Sequence, residues 1–227
     1  MTEPKLTKEQ ELLEKYFVAC ANFYYVIPLK QIYKIIKIHG ELTISKEDFY
    51  AYASKRREEK SEHNYWGIFG PDEWYEDEEK SRIEDCEIVT DWLFTVFEED
   101  EEPEYYEFID QQSDCPWYIP NFEEIMKYSN VFYEGKNSYI DKAVDFIKQN
   151  LELTEIKEEN VSDGLAMWIK MSMGNPVEDV MDFLETEGVV FNKKQTELFI
   201  PFLLEAYFNT RLPLLHGFTP NELHQIE

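Results

Sequence analysis

Residues 62–124 constrain this 227-residue chain most strongly. They hold four of its five tryptophans, Trp66, Trp74, Trp92 and Trp117. Residues 61–130 also carry 22 acids against 3 bases. The 60 residues before them carry 9 acids and 11 bases, and the 97 after them 17 acids and 8 bases, within a whole-chain net charge of −26. A disordered acidic tract is poor in aromatics, because it cannot bury enough apolar surface to offset the entropy of ordering. This stretch is rich in them. Its hairpin near Trp66 and Trp92 and its proline-bounded turn at Trp117 therefore read as folded, with the charge turned outward. The acids of the hairpin connection and of residues 98–102 read as solvated.

The length allows one large domain or two small ones with a substantial core. A charge of −26 opposes non-specific attraction to nucleic acid and to anionic membranes. It suits a basic protein partner, and it also keeps a chain soluble. Cys20, Cys86 and Cys115 are far apart, odd in number and form no C-x-x-C, as expected of reduced thiols in a cytoplasmic protein. The opening Met1-Thr2-Glu3-Pro4-Lys5 lacks the basic start and apolar run of a signal peptide. Residues 198–208 are apolar but too few for a membrane span, and they include Glu205.

Taken in order, Thr7 and Gln10 form a capping-box pattern ahead of an apolar helical period over residues 8–24. Val26-Ile27 reads as extended before Pro28, which suits the first turn of a second helix ending at Gly40. Ser45 caps a third helix running into Lys55, Arg56 and Arg57. Residues 65–69 and 87–94 have strand composition. Three helices followed by two strands is the order of a winged helix-turn-helix.

Beyond residue 97 the pattern is helical. A short helix is expected over residues 104–112 and another after Asn121. Further apolar periods run through residues 139–151, 165–173 and 177–184. Residues 193–209 form a helix in which Pro201 predicts a kink or a late start. Thr219-Pro220-Asn221-Glu222 opens a last short one.

The four histidines have no i, i+3 or i, i+4 pairing, and the glycines form no phosphate-binding loop. No nucleophile elbow occurs. Neither a metal nor a cofactor is expected. Two surfaces remain. Lys55, Arg56 and Arg57 lie where a winged helix places its DNA reader, but the connection that would form the wing carries six acids, which phosphates repel. Trp74, Tyr75, Asp77, Glu78 and Glu79 lie in that connection and offer acids and aromatics to a basic partner. Acids spaced on a rigid surface also imitate a phosphate backbone, which raises the alternative of a DNA mimic.

Residues 111–120, Gln-Gln-Ser-Asp-Cys-Pro-Trp-Tyr-Ile-Pro, followed by residues 124–128, and the tail over residues 209–223, with its Gly217-Phe218-Thr219-Pro220-Asn221-Glu222-Leu223, occur with an opening at residues 21–29. Together they resemble a group of uncharacterised cytoplasmic proteins from Gram-positive bacteria. The resemblance implies an α-rich fold and carries over no catalytic residue. The tail also resembles one that precedes cysteine-rich SEC-C zinc motifs, whose cysteines do not follow here. The expected architecture is mainly α: a winged-helix-like module with a small β-hairpin over residues 1–97, then a helical bundle over residues 98–227. The expected role is a non-enzymatic interaction or regulatory protein of the cytoplasm that binds a basic protein. A winged-helix nucleic-acid regulator is the alternative.

Overall fold

The computed structural model describes residues 6–59, 65–74, 81–94, 104–112, 114–151, 155–172 and 175–225, with backbone only for residues 73, 74, 94 and 155–157. The fold is mainly helical, with a small antiparallel sheet. Helix α1 (Lys8–Tyr24) starts where expected: Thr7 accepts from the Gln10 amide, and the Gln10 side chain accepts from the Thr7 amide. Tyr25, at φ 62°, turns the chain into β1 (Val26–Pro28). Pro28 closes this strand and stands at the N-cap of α2 (Leu29–His39), one position before the first turn it was expected to occupy.

Ser45 caps α3 (Lys46–Glu58). Then come β2 (Trp66–Phe69), the single turn α4 (Pro71–Trp74) and β3 (Glu87–Thr90), which ends in a 3-10 turn over Asp91–Phe94. The strand expected over residues 87–94 is therefore half that length. The sheet has the order β1-β3-β2, with Ile27 opposite Ile88 and Ile68 opposite Ile88 from the other side. The expected hairpin is present, and β1 adds a third strand to it.

Two compact units emerge. The first comprises residues 1–110 and 119–133. Its core is aromatic. Phe17 meets Phe49 and Trp66 edge-on at 5.8 and 5.6 Å between ring centres, a geometry that aligns ring edges with the negative faces of their neighbours. Two segments beyond residue 97 join this unit. Helix α5 (Glu104–Gln111) buries Tyr105 and Phe108, the latter beside Tyr25. Helix α6 (Phe122–Lys127) precedes Tyr128, which packs on Phe23 at 4.8 Å. Asn22 donates to the Tyr128 and Asn130 carbonyls, and the His39 ring bonds Tyr16 Oη and the Pro120 carbonyl. The unit thus extends past the boundary expected at residue 97, because that boundary follows composition whereas the unit follows buried aromatics.

The second unit comprises residues 111–118 and 134–227. It contains α7 (Ser138–Asn150), α8 (Glu155–Met171), α9 (Pro176–Thr186), α10 (Lys193–Phe208) and α11 (Pro220–Leu223). Its core is largely aliphatic, built from Ile140, Ile147, Leu165, Ile169, Val180, Leu184 and Leu203 around Phe199. Gly164 lets α8 approach α9: a Cβ there would lie 2.0 Å from the Phe183 ring. Helix α10 begins at Lys193 under an Asn192–Gln195 capping box and runs through Pro201, so the late start does not occur. Among the described residues no helix is long and apolar enough to cross a membrane.

Candidate functional site

Burying Phe49, Tyr52 and Ala53 turns the end of α3 so that its cations meet acids of the same unit. Arg57 places Nη2 2.9 Å from Asp72 Oδ1, and its Nη1 donates to the Ser81 carbonyl. Hydrogen bonding to Ser81 and the Arg57 guanidinium hold the Asp72 carboxyl down to about 2. Arg56 has Nε 2.8 Å from Glu14 and Nη1 3.0 Å from Glu59, with its guanidinium over the Trp66 ring. Glu14 also accepts from Tyr52 Oη at 2.7 Å. Lys55 pairs with Glu59, and Lys46 with Glu84, each at 3.3 Å. The trio read as a nucleic-acid surface, Lys55, Arg56 and Arg57, is therefore brought together and neutralised in place.

For the acidic connection, Trp74 closes α4 and is described by its backbone; Tyr75, Asp77, Glu78 and Glu79 lie outside the described residues.

The two sequence stretches singled out around residues 111–120 and 209–223 meet in the second unit. Trp117 stacks on His216 at 3.9 Å and 14°, and Tyr118 packs against Phe218. Arg211 lies 3.6 Å over the Tyr118 ring and pairs with Glu222, whose carboxylate also caps the Thr219 amide. His216 adopts φ 48° and places Nδ1 2.8 Å from the Cys115 carbonyl. A carbonyl only accepts, so Nδ1 carries the proton. Cys115 Sγ, 3.8 Å from the same nitrogen, thus faces an N–H rather than a lone pair. That nitrogen cannot take the thiol proton, and the pair is no activated nucleophile. Burial lowers the His216 pKa, which favours the neutral ring. The cluster reads as a packed corner.

One buried ion pair joins α8 to the segment before α7: Lys170, 4% exposed, lies 2.6 Å from Glu134. Burial depresses the Lys170 amine, and Glu134 opposes that shift. On β3, burial raises the Glu87 carboxyl, which accepts a hydrogen bond from Tyr105 Oη. Among the described residues no group of three or more histidines, cysteines and acids is placed to hold a metal ion.

Two charged faces escaped the sequence reading. Helix α2 buries Leu29, Ile32, Ile35 and Ile36 and exposes Lys30, Lys34 and Lys37 on its far side. Helix α9 buries Val180 and Leu184, exposes Glu178, Asp182 and Glu185, and contains no base. Among the described residues none of these six side chains has an oppositely charged partner. The signal was available as charge at i, i+4 and i+7 opposite an apolar face. A segment's net charge does not show it; the charge on each helix face does. Comparison with family models, with curated proteins and with solved structures gives no match for this chain.

Proposed function

We propose that this chain is a non-enzymatic interaction protein of the cytoplasm that binds a basic protein partner through acidic surface. The observation that carries this reading is the contrast between its cations and its acids. The basic cluster best placed to read DNA is already occupied by carboxylates of its own unit. The acids of α9 have no cation beside them among the described residues. Long-range attraction then favours a basic ligand and disfavours a nucleic acid. The acidic connection with Trp74, Tyr75, Asp77, Glu78 and Glu79 belongs to the same proposal as a second contact region.

The first unit serves in this reading as a winged-helix-like module used for protein contact. Its helix-strand-helix-helix-strand-strand order and β1-β3-β2 sheet support that assignment. Fold alone does not set the ligand, and the paired cations of α3 favour a protein over DNA in this reading.

Calorimetric titration tests the reading with a helical peptide bearing lysines at i, i+4 and i+7. Binding at about 0.15 M salt that disappears near 1 M is expected, because exposed pairs are screened. Glu178→Gln, Asp182→Asn and Glu185→Gln together should weaken it several-fold. Unchanged affinity in that triple variant removes α9 from the site. Unchanged affinity after the acids at 77–79 are also neutralised defeats the proposal.

A further inference from the structure

The lysine face of α2 has a match in the chain itself. Lys30, Lys34 and Lys37 recur at i, i+4 and i+7, and so do Glu178, Asp182 and Glu185. At 1.5 Å rise per residue each triplet spans about 10 Å of helix axis. Both faces are exposed, and both have an exposed aliphatic at the C-terminal end: Ile38, 62% exposed, on α2, and Val190, 63% exposed, just beyond α9. Lys37 also lies over the half-buried Tyr33 ring at 5.9 Å, which keeps its ammonium on that face.

We propose that the chain self-associates, with the α2 lysine face of one copy seated on the α9 acidic face of a second copy. Charge complementarity at matched spacing selects this occupant. Laid parallel, the helices bring Lys30 to Glu178, Lys34 to Asp182 and Lys37 to Glu185 in a single register. Every copy carries both faces, so each supplies both halves of the contact.

A net charge of −26 on each copy opposes their approach. At about 0.15 M salt the Debye length is roughly 8 Å, so that repulsion is screened beyond contact range while pairs within about 4 Å persist. Association is therefore strongest at moderate salt.

The proposal rests on the reading of α9 as a face for basic ligands, and the experiment separates the two. Sedimentation velocity of the whole chain at about 0.15 M salt should show a concentration-dependent boundary that is lost near 1 M. The K30E/K34E/K37E chain and the E178K/D182K/E185K chain should each sediment as monomers. Their equimolar mixture should recover the associated boundary, because the exchanged charges pair across the two chains. A wild-type chain that is monomeric at every concentration overturns the inference, and so does association unaffected by either triple reversal. A monomeric chain that still binds the lysine peptide leaves α9 as a basic-ligand face and discards only the second copy. Lysine-dependent binding of a short DNA duplex by a monomeric chain assigns α2 to nucleic acid and likewise overturns the inference.

Discussion

Helices α2 and α3 follow one another in the first unit and carry similar numbers of cations, yet those cations do opposite things. On α3, Arg56 and Arg57 are mostly buried and reach Glu14, Glu59 and Asp72. On α2, Lys30, Lys34 and Lys37 stand in solvent with no carboxylate beside them among the described residues. The difference comes from where each helix buries its apolar face. Helix α3 turns its end toward Glu14 of α1 and Asp72 of α4, whereas α2 leaves its lysines exposed. A basic cluster in a sequence therefore measures charge present and says little about charge available to a partner.

The strongest way to break this contrast is to strip Arg57 of its acid. Asp72→Asn should cost about 2 kcal/mol of stability at neutral pH, since it removes the carboxylate 2.9 Å from a largely buried guanidinium. Denaturant unfolding of wild type and variant measures it. The Asp72 carboxyl is depressed from 3.8 to about 2, so its contribution is complete above the ordinary value and is lost as pH falls through the folded one. The two proteins should therefore converge as the pH approaches 2.

A smaller effect is expected for Glu14→Gln, about 1–2 kcal/mol by the same assay. Arg56 keeps Glu59, and Tyr52 Oη keeps an amide oxygen as acceptor. Glu87, with no cation paired to it among the described residues, gives the reverse sign. Burial raises the Glu87 pKa, so this group favours the folded state below the ordinary carboxyl range and loses that contribution as pH rises through the folded pKa. Glu87→Gln should raise stability by about 1 kcal/mol at pH 7, with the gain shrinking toward pH 4. Lys55→Ala, at an exposed pair, should change stability by less than about 0.5 kcal/mol. The triple change of Lys30, Lys34 and Lys37 to alanine should be the smallest of all in thermal unfolding. That result would separate the role of the α2 face from the fold it stands on.

Helix ends were the most legible part of the fold. Thr7, Ser45, Asn121 and Thr219 all cap where the local pattern puts them, because a cap bonds an amide three residues away. Strand β1 was read only as an extended pair of residues. What makes Val26–Pro28 a strand is β3, some 60 residues on, and a three-residue run has no period of its own. The candidate surfaces were less legible still. The pairing of Arg56 with Glu14 joins the middle of α1 to the end of α3, and no spacing along the chain announces it. The stacking of Trp117 on His216 joins residues 99 positions apart. The acids of α9 are visible in the sequence, but their value depends on their having no cation beside them among the described residues, which only the folded arrangement reveals.

The interleaving of the two units sets an order of events on the ribosome. Residues 111–118 belong with 134–227, whereas 119–133 belong with the N-terminal part. The N-terminal core can close once residue 133 has emerged. By then Trp117 has already been made, but Arg211 and His216, against which its turn packs, are still about 80 residues from being translated. At about 5–20 residues per second this leaves roughly 4–16 s in which the first unit can be formed while the Trp117 turn still lacks its partners. A nascent chain stalled near residue 190 should therefore offer chaperones Trp117 and Tyr118 more fully than the finished protein, in which both are half-buried.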